Sequence, residues 1–170
     1  MRNARLILTL LLLALPTRAL PQAQWAPFSD SKGQFKVLLP GKPAQTNDSP
    51  ATFTLGTSSG IYVISYTDGH EGADWAQAVN SERDVTVQGL NAKVLGENET
   101  SLDGFRGKAV RFECNLAAGP VTGPATGQMR IYFNGHRFYM LIGLVPKTAK
   151  PEGIAKFLDS FQLLPASKPH

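Results

Sequence analysis

Apolar and polar positions alternate along most of this chain, and alternation with a period of two predicts half-buried β-strands. Phe35, Val37 and Leu39 share one face of a short strand that Pro40-Gly41 ends. β-Branched and aromatic residues dominate 51–55 and 61–66, and the segment GTSSG at 56–60 predicts a hairpin loop between them. Residues 93–102 predict a weaker strand, interrupted at Gly96 by a bulge. Asp103-Gly104 turns the chain into a strand where Val110, Phe112 and Cys114 face one way and Arg111 and Glu113 the other. Residues 117–127, rich in Gly, Pro and Thr, read as loop. Met129, Ile131 and Phe133 then alternate up to Asn134-Gly135, a dipeptide favoured in two-residue turns with positive φ angles. Phe138, Met140, Ile142 and Leu144 follow, with Tyr139, Leu141 and Val145 between them, so this strand is apolar on both faces. Such a strand must be covered on both.

Two segments with helical spacing can supply the covers. Ile154, Phe157, Leu158 and Phe161 fall at i, i+3, i+4 and i+7, and Pro151 suits a first helical turn. The second segment runs over 74–90, with Trp75, Val79, Val87 and Leu90 as its core contacts. Val85-Thr86-Val87 inside it favours strand, because branching at Cβ restricts the side chains in a helix. Together these elements predict an α+β fold, a three-layer α/β/α sandwich on a central antiparallel sheet of about six or seven strands. Residues 166–170 are expected to form a flexible tail.

The N-terminus has a different pattern. Arg2 and Arg5 precede an apolar run over 6–15, broken only by Thr9, and Pro16 ends it. Small residues at Ala19 and Ala23 then offer cleavage points. A positive end, a short apolar core and a small-residue exit predict a secretory signal peptide over 1–19, cut after Ala19 or after Ala23. The run is about half of the roughly 20 apolar residues that a membrane-spanning helix needs. No later stretch is longer, so no membrane span is expected after the signal is removed.

Export changes how the charge is read. The chain has 17 Lys+Arg against 13 Asp+Glu, a net charge of +4. Arg2, Arg5 and Arg18 precede a cut at Ala19, leaving a net charge of +1 with the two signs well mixed. This gives no electrostatic footprint for a nucleic-acid partner. Apolar content of 42% and charged content of 18% belong to a folded protein. The single cysteine, Cys114, cannot form an internal disulfide and is expected to be a buried strand residue.

Candidate chemistry is sparse. Asp68-Gly69-His70-Glu71 with Asp74 is the one cluster of potential metal ligands, and His70, Glu71 and Asp74 would be the ligands of a metal-assisted hydrolase. The spacing matches neither an EF-hand loop nor a zinc helix motif, and a strand-to-helix turn with an acidic cap accounts for the same residues. His136 follows Asn134-Gly135 as an exposed turn histidine, without the nucleophile and orienting acid that a catalytic base needs. Arg130 and Tyr132 are expected to pack under a helix with their polar tips in water. The glycines form no phosphate-binding motif. Asn47-Asp48-Ser49 and Asn98-Glu99-Thr100 match the glycosylation sequon. No catalytic residue, cofactor or metal is assigned.

Four segments carry a family resemblance: FKVLLPGKP at 35–43 after Phe28-Ser29, SLDGFRG at 101–107, RIYFNGHRFY at 130–139 and FLDSFQLL at 157–164. In this order they resemble exported bacterial domains of the PsbP-like superfamily. The resemblance implies a single PsbP-like α+β domain over 25–165. That superfamily includes a photosystem extrinsic subunit and a small-GTPase-binding nuclear protein, which implies binding more than catalysis. The expected function is a non-catalytic exported accessory or binding domain, periplasmic or extracellular, whose partner is another envelope or extracellular protein. The alternatives are the metal-assisted hydrolase and a carrier of small apolar ligands.

Overall fold

The strand β9, Arg137–Pro146, organises the molecule because its alternate residues enter two separate cores. Tyr139, Leu141 and Val145 enter one, and Phe138, Ile142 and Leu144 enter the other. The computed structural model describes residues 24–69 and 71–165. The expected signal with its cuts after Ala19 or Ala23, the expected tail at 166–170 and His70 lie outside the described residues.

Around β9 runs a seven-stranded antiparallel sheet. Its other strands are β3 (Ala44–Asp48), β4 (Ala51–Thr57), β5 (Gly60–Asp68), β6 (Lys93–Leu102), β7 (Phe105–Leu116) and β8 (Gly123–Phe133), in the order β3-β4-β5-β9-β8-β7-β6. A smaller sheet joins β1 (Ala26–Asp30), β2 (Phe35–Leu39) and β10 (Gln162–Leu163) in the order β1-β2-β10. The helices are α1 (Trp75–Gly89) and α2 (Glu152–Asp159).

Helix α1 covers β7 and β8 through Val79, over a core of Val110, Phe112, Met129 and Ile131. It runs through the strand-favouring Val85-Thr86-Val87, since Val87 packs on this core while Val85 stays 65% exposed. Tertiary burial therefore outweighs the modest helix penalty of the β-branched residues. Helix α2 packs on β9, β5 and β2. Its stripe of Ile154, Phe157 and Leu158 is buried, each side chain contributing about 1.5–3 kcal/mol of apolar burial. The approach is close: a Cβ on Gly143 of β9 would lie 2.8 Å from Ile154 Cγ2. Pro151 serves as N-cap rather than as a first-turn residue, its carbonyl accepting from Ile154 N at 2.9 Å.

The α+β character and the antiparallel sheet agree with the sequence pattern. The α2 side of the sheet also carries β1, β2 and β10. Phe35 of β2 joins this layer to the sheet through the rings of Phe53, Tyr66 and Tyr139. Two further boundaries differ from the sequence reading. The segment 117–127 is not loop throughout, because β8 already begins at Gly123 and pairs with both β7 and β9. The part before it is packed rather than open: Pro120 folds over Gly56, and Val121 is buried. The Asn134-Gly135 turn is wider than two residues, since the last paired residues are Phe133 and Phe138. Asn134 Oδ1 accepts from the backbone of His136 at 3.1 Å and of Arg137 at 2.9 Å, and Gly135 supplies the positive φ.

Candidate functional site

Two places gather polar side chains, and they differ in what those side chains are free to do. The first is the end of β5 and β9, where the register sets Asp68 opposite Arg137. Arg137 grips both carboxylate oxygens of Asp68, through Nε and through Nη2, the latter at 2.7 Å. Its Nη1 donates to Lys32 O at 3.2 Å in the β1–β2 turn, and Tyr139 OH donates to Gly33 O at 2.6 Å in the same turn. Asp30 closes the turn by accepting from Gly33 N at 2.6 Å. This network clips the small sheet to the large one.

The electrostatics follow from that enclosure. The hydrogen bond to Asp68 raises the Arg137 pKa, so the guanidinium stays charged. Burial, helped by the charge of Asp30, pushes the Tyr66 phenol up to about 12. Burial also raises Tyr139, against the opposing influence of Arg137. Phenols held neutral here donate hydrogen bonds and do not serve as bases near neutral pH.

Of the sequence cluster His70, Glu71 and Asp74, the two described members, Glu71 and Asp74, have separate tasks. Asp74 is the N-cap of α1, accepting from Gln77 N at 2.9 Å. Glu71 Oε1 lies 2.8 Å from His136 Nδ1, a contact between segments that sequence spacing could not reveal. Among the described residues no three His, Cys, Asp or Glu side chains gather as a metal set. Cys114 is buried beside Val110 and Phe112, and burial pushes its thiol up, which disfavours the nucleophilic thiolate.

The second place is a groove of about 430 Å³ on the α2 side of the sheet. Three rows of cross-strand neighbours build it. They are Gly96, Arg111, Gln128 and Gly143; Asn98, Ala109, Arg130 and Leu141; and Thr100, Gly107, Tyr132 and Tyr139. Helix α2 packs on Gly143 through Ile154, the ring of Phe161 lies on Tyr132 and Tyr139, and Asn98, Arg111 and Gln128 remain at least partly exposed. Small residues on β7 make the floor shallow, while Arg111, Gln128, Asn98 and Thr100 surround it with hydrogen-bonding groups. Arg130 forms the wall under α2: its Nη1 donates to Leu158 O at 3.0 Å, and Nη2 pairs with Asp159. That guanidinium satisfies the end of the helix where carbonyls lack partners. Sequence reasoning placed Arg130 and Tyr132 under a helix, and both lie there. It missed the groove, although the alternation of Asn98, Thr100, Ala109, Arg111, Gln128 and Arg130 on one face was a signal for a polar sheet surface.

No family model matches the chain, and no curated protein matches it. Solved structures do share its fold. A cyanobacterial PsbP from Synechocystis sp. PCC 6803 superposes at a TM-score of 0.57 with 11% identity, over 89% of this chain and 98% of that one. A protein from Bacteroides thetaiotaomicron VPI-5482 superposes at 0.53 with 13% identity, over 85% of this chain. This chain spans 50% of the length of the Bacteroides protein. The fold is PsbP-like, as the four sequence segments implied.

Proposed function

We propose that this protein is a non-catalytic accessory or binding domain that works outside the cytoplasm, using the groove beside α2 as its binding surface. The observation that carries this reading is the division of labour among its polar groups. Those at the β5–β9 end are committed to holding elements together, as is Arg130 at the wall of the groove, whereas Asn98, Thr100, Arg111 and Gln128 line an open concavity. The PsbP-like fold supports the same reading by analogy of architecture. Export is supported by Arg2, Arg5 and the apolar run at 6–15. The layered α/β/α description belongs to this proposal with one amendment, namely that α2 shares its layer with the three-stranded sheet. The partner class we favour is another envelope or extracellular protein or a ligand found there.

A carrier of apolar small molecules would need space between sheet and helix: the seam among Thr86, Val87, Leu90, Phe112 and Met129 holds none, but a mainly apolar pocket of about 240 Å³ lies where Glu82 of α1 meets Ile131, Phe138 and Met140, and this is the observation that favours a carrier. A hydrolase built on His70, Glu71 and Asp74 would share the Asp74 carboxylate with the helix cap, in which Oδ1 accepts from Gln77 N. The test is native mass spectrometry of the protein captured from its own exported fraction. A species bound at a fixed ratio and chemically unchanged after incubation is the expected result. Conversion of the bound species into a product would contradict the reading.

A further inference from the structure

Charge balance singles out one of the described arginines. Among the described residues, Arg83, Arg106, Arg130 and Arg137 each have a carboxylate within ion-pair distance. Arg111 is the described arginine that has none, and it is exposed at one end of the groove. Its position is built by its neighbours. A Cβ on Gly96 would lie 3.1 Å from Arg111 Nη2, so the guanidinium extends over β6 where the glycine leaves room. Gln128 stands opposite on β8, and Asn98 and Arg130 occupy the row beside it. Two guanidiniums and one carboxylate, that of Asp159, thus line the groove, with amide groups from β6 and β8 between them.

We propose, building on the reading of this groove as a binding surface, that it binds a small organic carboxylate, with Arg111 as the anchoring cation. The planar fork of a guanidinium matches the two oxygens of a carboxylate, and an ionised partner makes each hydrogen bond stronger. Asn98 and Gln128 supply further donors to the same anion, and Arg130, already engaged by Asp159, adds positive potential at the wall. The volume of about 430 Å³ lies in the range of small-ligand sites. The surplus of one positive charge suits a carboxylate better than a dianionic phosphate, which is commonly met by several cations.

Gluconate, a monocarboxylate, is the probe, titrated into the purified protein by calorimetry with ¹H–¹⁵N spectra recorded in parallel. Saturable binding is expected, with the shifted amides confined to the Asn98, Thr100, Arg111, Gln128 and Arg130 neighbourhood. Arg111→Gln should weaken it by about tenfold or more, since it removes a charge-assisted pair. Arg111→Lys should recover part of the loss, and unchanged dispersion of the spectra in both variants shows that they are folded. Inorganic phosphate and a glutamate-rich peptide form the comparison arms. Absence of saturable gluconate shifts, shifts that survive Arg111→Gln, or tighter binding of phosphate or peptide than of gluconate would each overturn the proposal. None of these outcomes involves turnover, so they are distinct from failure of the non-catalytic reading.

Discussion

Removing one oxygen from Tyr139 separates hydrogen bonding from packing at the junction of the two sheets. The ring is buried, and its hydroxyl donates to Gly33 O at 2.6 Å across 106 residues of chain. Tyr139→Phe keeps the ring contacts with Phe35 and Phe161 and leaves that carbonyl unpaired. The expected loss is about 1–3 kcal/mol in urea unfolding. A loss below about 0.5 kcal/mol, the scatter of ordinary surface changes, would mean that the clip contributes little. The neighbouring phenol gives a pH dependence. Tyr66 binds its proton more tightly in the folded chain than in the unfolded chain, where its value is 10.0. Its contribution is therefore complete below that value and is lost as the pH rises through about 12. Stability should fall over this alkaline window, with the raised values of Tyr62, Tyr139 and Cys114 acting in the same direction. Urea midpoints measured across it, flat with pH, would contradict the burial of these groups.

At the scale of elements, the alternation rule located the long strands well because each has one face on a core. The spans 35–39 and 93–102 agree residue for residue with β2 and β6, and the register of β6 shifts between Val94 and Gly96 where the glycine predicted a bulge. The short strands that went unread share a physical cause, whereas the first half of β8 was hidden by its Gly, Pro and Thr content. All five residues of β3 are exposed, and β10 has only two residues, so neither leaves an apolar period to read. The β1 strand of five residues buries none of them fully. The candidate site was legible to the same extent. Local features such as the Asp74 cap showed in the sequence, but Glu71 meeting His136 and the rows of the groove depend on strand order. Helix α2 offers a sharp test of how the layers are joined. Phe157→Ala should cost about 3–5 kcal/mol, as for other large buried rings. An unchanged thermal midpoint would show that α2 does not hold β9 and β2 together.

For the molecule as a whole, two readings of its purpose make different demands on metal. The His70→Asn, Glu71→Gln, Asp74→Asn triple variant removes the titratable groups of the sequence cluster. Asparagine remains a good helix cap, and the Glu71–His136 pair is exposed on both sides, so stability should change by less than about 1 kcal/mol. Metal content after purification without chelator is expected to be negligible in both proteins. Stoichiometric metal in the parent, lost in the variant, would favour the hydrolase. The described helices include none long and apolar enough to cross a membrane.

The central claim is that the face of β6, β7 and β8 beside α2 is where this protein meets its partner. The most direct measurement is a ¹H–¹⁵N chemical-shift map of the labelled protein, recorded alone and with the species that co-purifies from the exported fraction. The account predicts that the perturbed residues centre on Asn98, Arg111, Gln128 and Arg130, with little change at Glu71, Asp74 and His136. Perturbation centred on Glu71 and His136, with the groove unaffected, would contradict it.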